Sequence, residues 1–415
     1  MQGDIRRDRT NETAFVSSLF PPYNALLSAD STYQDYNLLT RYSRRTETAD
    51  NALQIYYSGA SYDADSGVNY DWRTFDLDWQ QHLLQNGRHD WLWGLGYRWL
   101  EHRYDGASYS VLDPEETTWQ WFSGFIQDEI ELTPELYLTL GAKLEHNDTT
   151  GWELQPSARL LWNVTPTQTL WTAISRAVRT PSRAEVGIVA NYFVLPPASP
   201  GNPGDLLIQG RFFGDPGIES EVVVAYEAGW RRQWATRLST DLAVFWNDYD
   251  NLRSATMGTP FPEPEPFPHL VLPFFSNNAL TGRTYGLEIA ADWRPLDDWR
   301  LQAHYSYLQM AVDPPATDAG NSPHHQFSLR SSLTLSPQVE WDLWLRYVGE
   351  LPNGSIPAYT SLDTRLAWSM QPDLTLSLVG QNLLDDRHPE FNANLQGQLP
   401  GEIERSVYLK ALWRF

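Results

Sequence analysis

The sequence predicts an all-β chain, a transmembrane antiparallel β-barrel of about 18 strands with short turns at one end and long loops at the other. Three observations predict it. Apolar and polar residues alternate at period two through one segment after another. The links between those segments alternate in length, short then long. The chain is polar on average, with mean hydropathy −0.47, yet it carries 19 Trp and 21 Tyr in 415 residues.

The alternation is plainest at the carboxy terminus. From Ile403 to Phe415, Val407, Leu409, Ala411, Trp413 and Phe415 share one face, and Ser406, Tyr408, Lys410 and Arg414 share the other. Upstream, Trp91, Trp93, Leu95, Tyr97 and Trp99 oppose Gly94, Gly96 and Arg98. Tyr285, Leu287, Ile289 and Trp293 oppose Gly286, Glu288, Asp292 and Arg294, and Trp341, Leu343 and Leu345 oppose Asp342 and Arg346. In order, the segments are 2–11, 35–46, 51–61, 68–83, 90–104, 116–131, 135–146, 153–163, 168–178, 221–233, 236–250, 280–294, 298–311, 323–335, 338–349, 358–369, 373–384 and 403–415. They are longer than the five or six residues usual in soluble sheets, and long enough for a tilted strand to cross a bilayer.

Loop lengths give the chain its direction. Tight turns fall at Asn86-Gly87, Thr133-Pro134, Thr165-Pro166, Pro295-Leu296, Ser336-Pro337 and Gln371-Pro372. Between them stand the long links 12–34, 105–115, 179–220, 251–279, 312–322 and 385–402. A sandwich has no reason to sort its loops this way, whereas bacterial barrels place short turns in the periplasm and long loops outside. Residues 179–220 and 251–279 are expected to be irregular loops, because the run PFPEPEPFPHLVLPFF is too rich in proline for helix or ladder.

Composition narrows the function. The net charge of −22 opposes binding to a phosphate backbone, so nucleic acid is not an expected partner. There are no cysteines for disulfides or thiolate metal sites. No apolar run reaches the length of a transmembrane helix. Adjacent His324 and His325 point to opposite faces of a strand and do not share a metal. No acid–base or nucleophile constellation stands out, so an enzyme is not expected, and neither is a cofactor.

Four local strings carry a family resemblance: SRAVRTPSRAE (Ser175 to Glu185), GIESEVVVAYEAGWR (Gly217 to Arg231), SNNALTGRTYGLEIAADWRP, and VGQNLLDDRHPEF (Val379 to Phe391). Through Glu219, Ser220, Tyr226, Glu227, Gly229, Asn278, Gly286, Glu288, Asn382, Leu383 and Asp385, and in this order, they resemble the barrel domain of TonB-dependent outer-membrane receptors. Val407, Leu409, Trp413 and Phe415 resemble the terminal assembly signal of bacterial outer-membrane barrels.

The resemblance implies a single barrel domain over residues 1–415 in the bacterial outer membrane, taking up a ferric siderophore, haem or cobalamin. It implies as partners outer-membrane lipid, the barrel assembly machinery, a plug domain and TonB. Family barrels have about 22 strands, so some four strands, the plug and a signal peptide are expected to be missing at the amino-terminal side. Passive porin activity, or a non-functional receptor fragment, is the alternative expectation. Tyr192, Phe193, Phe212, Phe213, Phe274 and Phe275 fall in the two longest loops. They are the expected ligand platform, with Arg183 or Arg211 beside them for an anionic group.

Overall fold

The computed structural model describes residues 1–107, 109–314, 322–351, 356–391 and 401–414, without the side chains of 14, 85 and 86. The first half comprises β1 (Gln2–Ser17), β2 (Asn24–Arg45), β3 (Ala49–Ala64), β4 (Asn69–Asn86), β5 (His89–Asp105), β6 (Ser110–Leu112), β7 (Glu116–Thr133), β8 (Leu136–Asn147), β9 (Gly151–Thr165) and β10 (Gln168–Arg179). A short helix, α1 (Arg183–Gly187), precedes β11 (Ile188–Leu195), β12 (Ile208–Phe213), β13 (Glu221–Ala235), β14 (Leu238–Met257), β15 (Phe261–Glu263) and β16 (His269–Leu296). The last part holds β17 (Trp299–Asp313), β18 (His325–Ser336), β19 (Val339–Val348), β20 (Tyr359–Gln371), β21 (Leu374–Gln381), β22 (Arg387–Pro389), β23 (Glu402–Glu404) and β24 (Ser406–Trp413).

One sheet contains 22 of these strands; β6, β11, β12 and β15 belong to a cap, leaving 18 in the wall. The wall is an antiparallel meander in which each strand pairs with the next wall strand in sequence. Each of the 18 segments expected from alternation contains or overlaps one wall strand. Two-residue turns close one end; at Asn86–His89 the reversal uses Gly87 at φ 73°, a conformation open to glycine at little cost.

Register sorts the side chains. Leu409, Leu378, Leu366, Trp341, Leu333 and Trp299 lie on one cross-strand row of the outer face. Asp363, Trp344, Arg330, Gln302 and Asp292 form a row of the inner face. Trp293, Trp341, Trp368 and Trp413 girdle the turn end on the outside. At the loop end, Tyr226, Trp246 and Tyr285 share a row, the last two stacked at 5.1 Å. The eight residue steps from Tyr285 to Trp293 cover about 27 Å of strand, roughly 20 Å of height once tilted, close to the apolar band of such barrels.

Glycines on this wall accept aromatic neighbours. Trp171 lies over Gly229, which it faces in register, and a Cβ there would meet its indole at 2.4 Å.

The two edges of the wall do not meet. β1 pairs only with β2 and β24 only with β21 among the described residues. Ile5 is 91% exposed and Leu409 81%. Gln2 faces Leu39, so residues 40–45 of β2 have β3 as their sole neighbouring strand among the described residues. Register places the outward charges of β1 off the apolar band. Arg7 shares an outer row with Gln34, Ser61, Asp71, Arg103 and Glu116, at the polar rim above the aromatic girdle. Phe415 lies outside the described residues.

Candidate functional site

The expectation of irregular loops in 179–220 and 251–279 is wrong. Both fold into a mixed sheet: β6 pairs with β11, β11 with β12, β12 runs parallel to the start of β16, and β15 covers that start. Proline is accommodated because the ladder asks of it only what it has. Pro273 faces Arg211, and its carbonyl accepts the Gly258 N–H at 2.9 Å. Among the described residues, five of the eight largest fully buried side chains lie in this cap: Val194, Gln209, His269, Val271 and Pro273. That follows from the solvent each part meets: the wall presents its apolar side chains to lipid, while the cap must bury its own.

The cap is moored at two places. On one side, Asn24 at the tip of the β1–β2 hairpin donates to the Val194 carbonyl at 2.8 Å and accepts the Val194 N–H at 3.0 Å. On the other, Arg179 donates to Glu185 at 2.8 and 3.1 Å and to Glu221 at 2.6 Å, and Arg253 reaches Glu185 at 3.2 Å. Glu185 also closes a capping box on α1: its carboxylate accepts the Ser182 N–H at 2.7 Å while Ser182 Oγ accepts the Glu185 N–H. Burial works to raise its pKa, but Arg179 and Ser182 outweigh it and hold the carboxyl down at about 2.

Nearby, Asn278 accepts the Glu219 N–H at 2.7 Å and donates to the carbonyls of Glu219 and Asn251. Arg179, Glu185, Glu219 and Asn278 all come from the strings that carried the resemblance, and the fold gathers them where strand ends enter the cap. Their mooring role was not foreseen.

Of the expected platform, the structure brings together Tyr192, Phe193 and Phe274, whose ring centroids lie 5.9–6.4 Å apart. Phe213 stacks on Phe275 at 5.4 Å. Phe212 joins neither ring group but pairs in register with Ala190 and Phe274. Tyr192 at 48% and Phe275 at 46% exposure are the rings that face outward, with the others behind them.

The two arginines part company. Arg211 is only 17% exposed and spent: it donates to Glu263 at 2.7 and 3.2 Å and to Gln209 at 3.1 Å. Its hydrogen bonds outweigh burial and hold the Glu263 carboxyl below its usual range. Arg183 donates one weak bond from Nη1 to the Asp113 carbonyl at 3.4 Å. Its Nε and Nη2, enclosed by protein, meet no acceptor among the described residues. No cluster able to hold a metal occurs among the described residues. His324 is bonded to the Leu308 carbonyl and His325 to Tyr305.

A family model described as TonB dependent receptor-like, beta-barrel, matches residues 4–383. An iron-regulated outer membrane virulence protein of Vibrio cholerae is 24% identical over 280 residues, 64% of this chain and 41% of that protein. The ferric enterobactin receptor of Pseudomonas aeruginosa is 27% identical over 172 residues, 38% of this chain and 22% of that protein. The chain thus spans about two fifths or less of the curated relatives it matches. Among solved structures, the siderophore receptor PirA of Acinetobacter baumannii superposes with a TM-score of 0.73 at 13% identity, covering 93% of this chain and 63% of that one. The FrpB iron transporter of Neisseria meningitidis gives 0.71 at 14% identity, over 100% of this chain and 68% of that one. Likeness at this identity concerns the fold.

Proposed function

The chain belongs to the TonB-dependent receptor β-barrel family of the outer membrane, and from that premise we propose that it forms the barrel and ligand-gripping cap of a receptor for a ferric siderophore, haem or cobalamin. The observation that carries this reading is the cap, whose outward rings Tyr192 and Phe275 stand on a half-buried base of Phe193, Phe213 and Phe274. A flat or aromatic iron carrier would stack on these rings. Arg183, whose Nε and Nη2 are enclosed by protein and meet no acceptor among the described residues, would take its anionic group only after the segment around α1 shifts, while Arg211 is neutralised by Glu263 and would only hold the cap in shape.

The role is recognition and passage rather than catalysis. Outer-membrane lipid would contact the outer rows, the barrel assembly machinery would read the terminal strand, and a plug domain with TonB would supply gating and energy. The likeness to an iron-regulated outer membrane protein, a ferric enterobactin receptor and an iron transporter supports an iron-bearing ligand.

The test is a tryptophan-fluorescence titration of the refolded chain with a ferric tris-catecholate, a ferric hydroxamate, haemin and cobalamin. Saturable binding of one of these, weakened about tenfold or more in Tyr192→Ala, is the expected result. Binding of none, together with steady ion conductance in planar bilayers, would replace the receptor reading with that of a passive porin.

A further inference from the structure

The outer wall is not evenly filled. Between β8 and β14, on the turn side of the row of Tyr226 and Trp246, it dips into an apolar groove of about 490 Å³. Thr172 and Ala228, opposite each other in register on β10 and β13, form its floor, and Leu160, Ile174, Val244 and Trp246 stand around them. The floor is apolar in spite of the threonine. Its hydroxyl donates to the Glu227 carbonyl at 2.8 Å, which leaves the methyl group to face the groove. Ile174, Val244 and Trp246 stay exposed, so the described residues leave the groove open.

One row beyond Tyr226 and Trp246, toward the loops, the wall turns cationic. Arg176 lies four residues after Thr172 on the same strand, hence on the same face, and pairs in register with the uncharged Val224. Its Nη1 donates to the Leu154 carbonyl, and its Nη2 lies 3.9 Å from Glu153, at the outer limit of an ion pair. Val224 leads along the row to Asp248 and then to Arg283, which meet at 3.2 Å with the arginine side chain 66% exposed. Two arginines and one carboxylate leave this stretch of the rim positive.

An apolar segment of another membrane protein would fill the groove and leave the cations unanswered. A second copy, apposed about an axis normal to the membrane, would set Arg176 against Arg176. By charge complementarity we propose that the groove binds one acyl chain of a phosphate-bearing lipid from the leaflet at the loop end, with the phosphate on Arg176 and Arg283. The acyl chain supplies affinity by leaving water or detergent for the groove, and the arginines choose the head group. The site rests on the barrel lying in the outer membrane and is indifferent to the cap's ligand, so loss of siderophore binding would leave it standing.

The experiment is native mass spectrometry of the full chain refolded in detergent, titrated with a phosphatidic acid and with the diacylglycerol of the same chains, which lacks only the phosphate. One phosphatidic acid should be retained, about fivefold tighter than the diacylglycerol. Ala228→Leu fills the floor and should weaken both lipids about tenfold. Ala303→Leu makes the same change on the outer face of β17, away from the groove, and should alter neither. Arg176→Gln should lose the preference for phosphate yet keep the diacylglycerol, a sign that the variant is folded. Equal binding of the two lipids by the unmodified chain would overturn the proposal, as would equal losses in Ala228→Leu and Ala303→Leu. Displacement of the lipid by inorganic phosphate alone, or a dimer that excludes it, would do the same.

Discussion

Arg179 lays both Nη atoms on the Glu185 carboxylate, at 3.1 and 2.8 Å, while its Nε reaches Glu221. One guanidinium therefore ties the end of β10 to the helix that begins the cap and to the strand that leaves it. Side-on and end-on forks of this kind fix geometry as well as charge. The Glu185 side chain is 9% exposed and that of Arg179 46%, so solvent screens the pair from the arginine side only.

Glu185→Gln should loosen the cap by about 2–3 kcal/mol at neutral pH. The sign with pH follows from the depressed folded-state value of about 2 against an ordinary 4.5. The stabilisation is fully present above pH 4.5 and is lost as pH falls toward 2. Amide protection factors of β11 should report this, falling on acidification in the wild type and already low, with little further change over that window, in Glu185→Gln. A wild-type cap that stays equally protected from pH 6 to pH 2 would refute it.

Leu287 and Ala290 lie three residues apart on β16 and face opposite solvents. Leu287 shares its outer row with Val244 and Tyr307, and Ala290 shares an inner row with Asp241 and His304. Leu287→Arg should cost about 2–4 kcal/mol and Ala290→Arg under about 1 kcal/mol. Denaturant unfolding in lipid vesicles would measure both. Equal losses would mean that the face assignment is wrong.

Gly229→Val should cost about 1–3 kcal/mol, because the new side chain meets the Trp171 indole and forces it from its rotamer. Pairing the change with Trp171→Ala, which empties the same space, should recover part of the loss. Additive losses in the double variant would show that the two residues do not compete for one volume.

The wall was legible because its code is local. Period-two alternation from Tyr285 to Trp293 or from Val407 to Trp413 reads directly as a strand with two different solvents, and turn pairs such as Asn86-Gly87 mark the reversals. The cap was not legible. β12 is six residues long and finds its parallel partner about sixty residues away, Gln209 opposite Val271, with no local pattern to announce it. The proline run misled because proline forbids donating, not accepting, and Pro273 is asked only to accept. The aromatic platform was legible as a set of residues, yet which rings face outward depends on burial that long-range pairing alone decides. The mooring role of Arg179 and Glu185 was hidden inside a family string, readable as a resemblance and not as an ion pair.

Arg211 and Glu263 come from different halves of the cap, β12 and β15, and meet through two N–H donors on one carboxylate. From sequence, Arg211 was a candidate to grip an anionic ligand; its geometry instead makes it a brace. The two roles separate in a double-mutant cycle. If Arg211 braces the cap, Arg211→Gln and Glu263→Gln should each accelerate exchange in β12 and β16. The double variant should then be less harmful than the sum, with a coupling of about 1–3 kcal/mol. Removing either partner alone also leaves the other charge half-enclosed and unpaired, which is why the single losses should exceed the worth of the pair. If Arg211 instead serves the ligand, Arg211→Gln should weaken ligand binding, leave exchange in the cap unchanged, and show no coupling to Glu263. Cap exchange measured without ligand decides between them, and unchanged protection in both single variants would remove the brace.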